Sequence, residues 1–220
     1  MRTGVVAAAV LLAACGSDGS AAGQRQAGQA SAAKLDVAGV RPGMSTAEVT
    51  ATLKRARWKV SPFPGRDWAN EVAEEKGRQT GRSVMDETRN GVETVTGRKG
   101  DEEIIVSMTA MPAGAVAKLV RYTAPMAGRT GEQIRSQMVQ RYGPPTAQSR
   151  PAEQLIVMTW CTGGEACRSY YGVAKPALLV EEDVYHKLHV NMTEGLDVEK
   201  ARQAQLLAAA GGGAAPKSSF

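Results

Sequence analysis

The chain has 220 residues, of which 43% are hydrophobic and 22% charged, and its formal net charge is +5. These proportions are close to the globular average, so they exclude a wholly disordered chain and a polytopic membrane protein. The length suits one ordinary domain or two very small ones. Only 3 cysteines are present, too few for a disulfide-dense scaffold. The basic charge is spread along the chain and gives weak evidence for a nucleic-acid partner.

The N-terminus predicts export. Arg2 precedes an apolar run, Val5 to Ala14. A transmembrane helix needs about 20 such residues, so this run has the length of the hydrophobic region of a signal peptide. It ends in Leu-Ala-Ala-Cys-Gly, which resembles a bacterial lipobox, where small residues precede the cysteine that becomes lipidated. An ordinary signal peptide with an incidental cysteine is the alternative.

The lipobox resemblance implies that Cys15 becomes the mature N-terminus and carries acyl chains such as palmitate. Two or more chains anchor a protein stably to a membrane without spanning it. Gly16 stands where many lipoproteins retained at the inner membrane have aspartate. We therefore expect the protein at the periplasmic face of the outer membrane.

Composition divides the remaining chain. Residues 1–14 are the predicted signal peptide, and residues 15–33, rich in Gly, Ala, Ser and Gln, form a flexible tether. Residues 34–195 carry the periodic apolar patterns of a globular domain. Residues 196–220 are predicted to form a C-terminal helix followed by a disordered tail.

Two helices with the same start pattern predict a repeat. Thr46–Arg57 has the apolar positions Val49, Leu53 and Ala56 on one helical face, after a capping-box pattern of Ser45 and Glu48.

The same pattern returns with a capping box of Thr130 and Gln133. The apolar positions of that second helix are Ile134, Met138 and Tyr142. It is expected to stop at Gly143, since Pro144 follows. The repeat units are placed at about residues 40–125 and 126–195.

Strand-like segments follow each helix. They are Glu103–Ala110, Ala115–Ala124, Gln154–Thr162, Arg168–Ala174 and Asp183–Thr193. Residues 66–100 are charged and poor in large apolar residues, and are interpreted as an insertion over one edge of the fold, with a surface helix at Asp67 to Gln79. The prediction is an α+β fold, two helix–sheet units forming one antiparallel sheet with the helices packed on one face.

Two segments resemble a known family. The residues GVRPGMSTAEVTATL, from position 39, and TGEQIRSQMVQRYGPPT, from position 130, resemble the helices of SmpA/OmlA-type (BamE-like) outer-membrane lipoproteins. The tandem layout is similar to the β-lactamase-inhibitor-protein architecture. The resemblance implies a non-enzymatic role in protein binding or envelope assembly.

Cys161 and Cys167 flank a short segment between two predicted strands. A hairpin would bring them within the Cα separation that a disulfide tolerates, and an exported chain lies in an oxidising compartment. We therefore expect a disulfide. A zinc site with His186 and His189 is disfavoured, because alternate residues of a strand lie on opposite faces.

The final predicted strand defines a candidate binding face. His186, with the apolar residues Val184, Leu188, Val190 and Met192, is expected to face the core. Tyr185, Lys187, His189 and Asn191 then face outward, with additions from neighbouring strands. The candidate partner-binding residues are Arg121, Tyr170, Tyr185, Lys187 and His189.

The sequence contains no G-x-S-x-G, H-E-x-x-H, P-loop or dinucleotide motif. No cofactor, metal, catalytic residue or nucleic-acid partner is therefore predicted. The leading hypothesis is a lipid-anchored module that binds an envelope protein. The alternative is a periplasmic enzyme or small-ligand carrier using the sheet face around His189.

Overall fold

The computed structural model describes residues 35–83, 88–149, 156–162 and 173–211. The predicted signal peptide with Cys15 and the tether lie outside the described residues. So do Cys167, Tyr170 and the last nine residues of the chain.

The described residues form an α+β fold with four helices and one eight-stranded antiparallel sheet. In chain order the elements are α1 (Thr46–Arg55), β1 (Lys59–Gly65), α2 (Trp68–Thr80), β2 (Gly91–Lys99), β3 (Glu102–Thr109), β4 (Val116–Pro125), α3 (Gly131–Tyr142), β5 (Ala147–Ser149), β6 (Val157–Cys161), β7 (Ala177–Glu182), β8 (Lys187–Thr193) and α4 (Leu196–Ala209). The strand order in space is β1-β2-β3-β4-β8-β7-β6-β5. Strands β4 and β8 therefore meet at the centre of the sheet.

Both predicted capping boxes are present. The Ser45 hydroxyl accepts from the Glu48 N–H, and Glu48 Oε2 accepts from the Ser45 N–H at 2.7 Å. At α3, Thr130 and Gln133 exchange the same two hydrogen bonds. Each box satisfies backbone N–H groups that a helix leaves unpaired at its N-terminus.

Helices α1 and α3 supply the core over one side of the sheet, here called the covered face. Val49 and Leu53 of α1 are buried, as are Ile134 and Tyr142 of α3. They pack against alternate strand residues: Val95, Ile104, Val106, Val120, Leu188, Val190, Met192, Leu178, Val180, Met158 and Trp160. This agrees with the period-two pattern of a sheet buried on one face.

Helix α3 joins this core through aromatic contacts. The Tyr142 and Trp160 rings meet edge to face with centroids 5.6 Å apart, and Trp160 Nε1 donates to the Gly143 carbonyl at 2.9 Å. The Tyr142 hydroxyl donates to the Asp36 carbonyl at 2.6 Å. Burial raises the pKa of Tyr142 to about 12. The segment before α1 is thereby fixed to the end of α3.

Helices α2 and α4 do not follow the prediction that all helices cover one face. They contact each other, and Arg202 of α4 donates to Glu71 of α2 at 2.8 Å. The start of α4 lies beside β4 and β8 residues of the side opposite α1 and α3.

Residues 66–100 are not simply an insertion over an edge. Strand β2, within this segment, pairs with β1 on one side and β3 on the other. Its buried positions, Val95 and Gly97, alternate with residues that point to the other face. The predicted surface helix in the same segment is present as α2, which begins at the capping residue Asp67.

The structure differs from the prediction around the last two predicted strands. The predicted strand Arg168–Ala174 lies outside the described residues as far as residue 172, and Val173 and Ala174 are not in a strand. The strand next to β8 is instead β7, whose first four residues are all buried. The predicted strand Asp183–Thr193 begins only at Lys187, because residues 183–186 form the turn between β7 and β8.

Candidate functional site

The side of the sheet opposite α1 and α3 carries a half-exposed surface on its central strands. We call it the open face and define it as Ile105, Leu119, Arg121, Thr123, His189, Asn191 and Thr193. Cross-strand pairing places Arg121 between Ile105 of β3 and Asn191 of β8. Arg121 is exposed and the other members are half-buried. Further along, Leu179 and Thr159 on the same side are buried, so the open face is confined to β3, β4 and β8.

The β7–β8 turn adjoins one end of the open face. The Asp183 side chain accepts hydrogen bonds from the backbone N–H groups of Tyr185 and Lys187, both at 2.9 Å. These bonds fix an Asx-type turn. The turn presents Val184 and Tyr185 to solvent, with 73% and 79% of their surface exposed. The turn therefore adds two exposed apolar side chains next to the open face.

His189 is held by two side chains of the open face and its turn. Its Nε2 lies 2.8 Å from Asp183 Oδ2, and its Nδ1 lies 3.3 Å from Thr123 Oγ1. The hydrogen bond from His189 is the main cause of a lowered pKa of Asp183. When Nε2 donates to the carboxylate, the neutral ring accepts from Thr123 at Nδ1. His189 was expected to face solvent, but only 29% of its side chain is exposed.

The expectation that His186 is a core residue was wrong. It lies in the turn with a positive φ of 54°, and 67% of its side chain is exposed. Its Nδ1 lies 3.0 Å from Glu182 Oε1. The side-chain alternation that begins at Lys187 therefore cannot be extended back to His186. The predicted inward set is correct for Leu188, Val190 and Met192, which are all buried.

The predicted binding residues are only partly brought together. Arg121 and His189 share the open face, and Lys187 stands exposed where β8 leaves the turn. Tyr185 belongs to the turn and not to a strand. Tyr170 lies outside the described residues.

Cys161 at the end of β6 is disulfide-bonded. The other two cysteines, Cys15 and Cys167, lie outside the described residues. The pairing of Cys161 with Cys167 stays a prediction.

A pocket that the sequence did not predict lies where the open face meets α4. It has a volume of about 380 Å³, and we call it the seam pocket. Leu119, Arg121, Asn191 and Thr193 form its floor; Lys118, Val173, Glu194, Gly195, Leu196 and Glu199 form its walls. No local motif marks it, because its floor combines two strands that are distant in the chain.

The two carboxyl groups of the seam pocket differ in their hydrogen bonds. Glu199 accepts from Lys118 Nζ and from Arg202, each at 3.0 Å. Glu194 is only 4% exposed, and its Oε1 has no hydrogen-bond partner among the described residues. Burial raises the pKa of Glu194 to about 7.

The described ranges of the chain contain neither a cluster of metal ligands nor a membrane-spanning helix. Within those ranges no group of three or more His, Cys, Asp or Glu side chains is arranged to hold a metal ion. The described helices are each too short or too polar to cross a membrane. In comparisons with known proteins, no family model, curated protein or solved structure matches the chain.

Proposed function

We propose that the chain is a lipid-anchored protein of the bacterial envelope that binds another envelope protein without catalysing a reaction. Cys15 would hold it at the periplasmic face of the outer membrane through its acyl chains. The lipobox resemblance supports this location. The open face and the adjoining turn would form the binding surface.

The observation that carries the proposal is the contrast between the two sides of the sheet. The covered face is filled by α1 and α3, whereas the open face presents Arg121 between half-exposed aliphatic and amide side chains. Tyr185 projects from the turn beside it. Tyr and Arg are enriched among the residues that dominate binding energy at protein interfaces.

A finer part of the proposal is that the fold consists of two related units. In each half a capped helix precedes four antiparallel strands, and the last strands of the halves, β4 and β8, pair with each other. Helix α2 stands only in the first half of the described chain. This order supports the resemblance to SmpA/OmlA-type lipoproteins in tandem, and that kinship remains part of the proposal.

The test is affinity purification from detergent-solubilised envelopes. Replacing Tyr185 and Lys187 with Ala should remove at least one co-purifying protein, because both side chains are exposed and the change costs the fold little. Phe63→Ala is the matched control, since Phe63 is an exposed aromatic on the edge strand β1. If the double variant retains every partner of the parent protein, the proposed surface is wrong.

The alternative is an enzyme or small-ligand carrier built around His189. The chain of contacts from the Thr123 hydroxyl to the imidazole to the Asp183 carboxylate favours it, because nucleophilic catalysis needs a base that is oriented by a third group. Hydrolysis of p-nitrophenyl acetate by the purified protein, lost in Thr123→Val, would support the enzyme. Equal rates in parent and variant would eliminate Thr123 as a nucleophile.

A further inference from the structure

The seam pocket has an exposed cation on an otherwise neutral floor. Arg121 makes no ion pair and no side-chain hydrogen bond with another described residue. Its cross-strand neighbour Asn191 likewise has no side-chain hydrogen bond within the described chain. Directly paired residues have Cβ atoms about 5 Å apart. The two side chains therefore stand together as unused donors.

Aliphatic groups border these donors. Leu119 lies two residues before Arg121 on the same side of β4, and Leu196, at the start of α4, is 43% exposed. Val173 completes this wall. The pocket volume of about 380 Å³ is at the small end of the range for ligand pockets, about 300–1,000 Å³.

The carboxylates near the pocket do not neutralise Arg121. Glu199 is already bound to Lys118 and Arg202. Glu194 also lines the pocket, but it is only 4% exposed, and burial raises its pKa to about 7, so it is mostly neutral below that pH. The free charge that faces a ligand is therefore the guanidinium of Arg121.

We propose that the seam pocket binds a carboxylate that carries an aliphatic group. The carboxylate is held by Arg121 and Asn191, and the aliphatic group lies against Leu119 and Leu196. An arginine fork matches the two oxygens of a carboxylate better than a lysine does. This inference deepens the proposed function, on which it rests: the C-terminal residue of a partner protein supplies such a group, and so does a free short-chain acid.

The experiment measures fluorescence polarisation with the full-length protein purified from envelopes in detergent. The probe is fluorescein-Gly-Ser-Gly-Leu with a free C-terminal carboxylate, and the comparison is the same peptide ending in a carboxamide. We expect the acid to bind at least about tenfold more tightly than the amide, because hydrogen bonds to a charged group are the stronger ones.

Variants locate the binding. Arg121→Gln should weaken binding of the acid peptide by about tenfold or more, and Arg121→Lys should recover part of the loss. Arg98→Gln is the control, since Arg98 is an exposed arginine of β2 outside the pocket, and it should stay within twofold of the parent. Circular dichroism checks that each variant is folded.

Competition with 4-methylpentanoate distinguishes the two sources of the ligand. If 4-methylpentanoate displaces the acid peptide at a concentration near that of the unlabelled peptide, a carboxylate and an alkyl group suffice for binding, which indicates a free acid. Displacement only at more than tenfold higher concentrations means that the peptide backbone contributes, which indicates a protein C-terminus. Both results support the proposed chemistry.

Three results would overturn it: equal binding of acid and amide, absence of binding by both, or equal losses in Arg121→Gln and Arg98→Gln. The outcome is separable from that of the proposed function. The test of the proposed function replaces Tyr185 and Lys187, which lie outside the seam pocket, and measures which partner proteins are retained.

Discussion

Replacing Glu194 with Gln should remove a pH dependence of stability that burial of this carboxyl creates. Glu194 is 4% exposed, and its folded-state pKa lies near 7 instead of the ordinary 4.5. The folded protein therefore retains a proton between these two pH values, whereas the unfolded chain has lost it. Because the folded state binds more protons in this window, the free energy of unfolding falls as pH rises from 4.5 to 7.

The size of the effect follows from the two pKa values. Each pKa unit corresponds to about 1.4 kcal/mol, so ionising the buried carboxyl costs the fold about 3 kcal/mol. Gln has nearly the same shape and stays neutral at every pH. The variant should match the parent near pH 4.5 and exceed its free energy of unfolding by about 3 kcal/mol at pH 8.

Urea unfolding followed by circular dichroism at several pH values from 5 to 8 measures this difference. Subtracting the parent from the variant at each pH removes the contributions of groups common to both. Glu93→Gln is the matched control, because Glu93 is an exposed carboxyl on β2, and exposed substitutions stay within about 0.5 kcal/mol. A difference that does not change with pH, or a parent that is more stable than the variant at pH 8, would refute the reasoning.

Three other changes test different parts of the molecule. Cys15→Ser should leave the protein unanchored in the periplasm or uncleaved, and cell fractionation that still finds it processed and anchored would contradict the lipoprotein prediction. Cys161→Ser should lower the free energy of unfolding by about 2 kcal/mol, as expected for a short closed loop, and Cys167→Ser should match it in a urea titration if the two cysteines pair. Trp160→Phe removes the hydrogen bond to Gly143 from a fully buried side chain, and the same titration should show a loss of roughly 1–3 kcal/mol.

Local signals were sufficient for the capped helices and for two strands. The Ser45 and Thr130 capping boxes place the starts of α1 and α3 where the structure has them. Strands β3 and β4 lie within one or two residues of their predicted bounds. These elements were predictable because the capping side chains and the alternating apolar residues act within a few positions.

The strand predictions near the C-terminus are wrong where two local patterns overlap in the sequence. The alternation that predicts a strand over Asp183–Thr193 places Val184 and His186 in line with Leu188, although the strand begins only at Lys187. Asp183 instead binds the N–H groups of the next residues and fixes a turn. The apolar run of β7 has the length of a buried strand and Pro176 before it marks a break, but the predicted strands do not include this segment.

The candidate site depended on pairing that no local pattern contains. The distance from Thr123 to His189 is short only because β4 pairs with β8. Glu194 is buried without a hydrogen-bond partner for its Oε1 among the described residues. It lies between the end of β8 and the start of α4, where its backbone N–H donates to the Lys118 carbonyl of β4. A sequence shows which residue types are present, but these contacts join positions that are far apart in the chain.

The position of the seam pocket has a consequence for the proposed two-unit fold. Leu119 and Arg121 come from the last strand of the first half, and Asn191 and Thr193 from the last strand of the second. Neither half alone would form this floor. The two-fold axis of a pair of identical antiparallel strands lies at the middle of the pair, whereas the seam pocket lies toward one end of the β4–β8 pair, so two identical halves would have formed a second, equivalent pocket at the other end. Here only the second half continues into α4 at this point, with Leu196 and Glu199 closing one side. Helix α4 therefore makes this end of the β4–β8 pair different from the other end, where the β7–β8 turn lies and the helix that follows β4, α3, packs on the covered face.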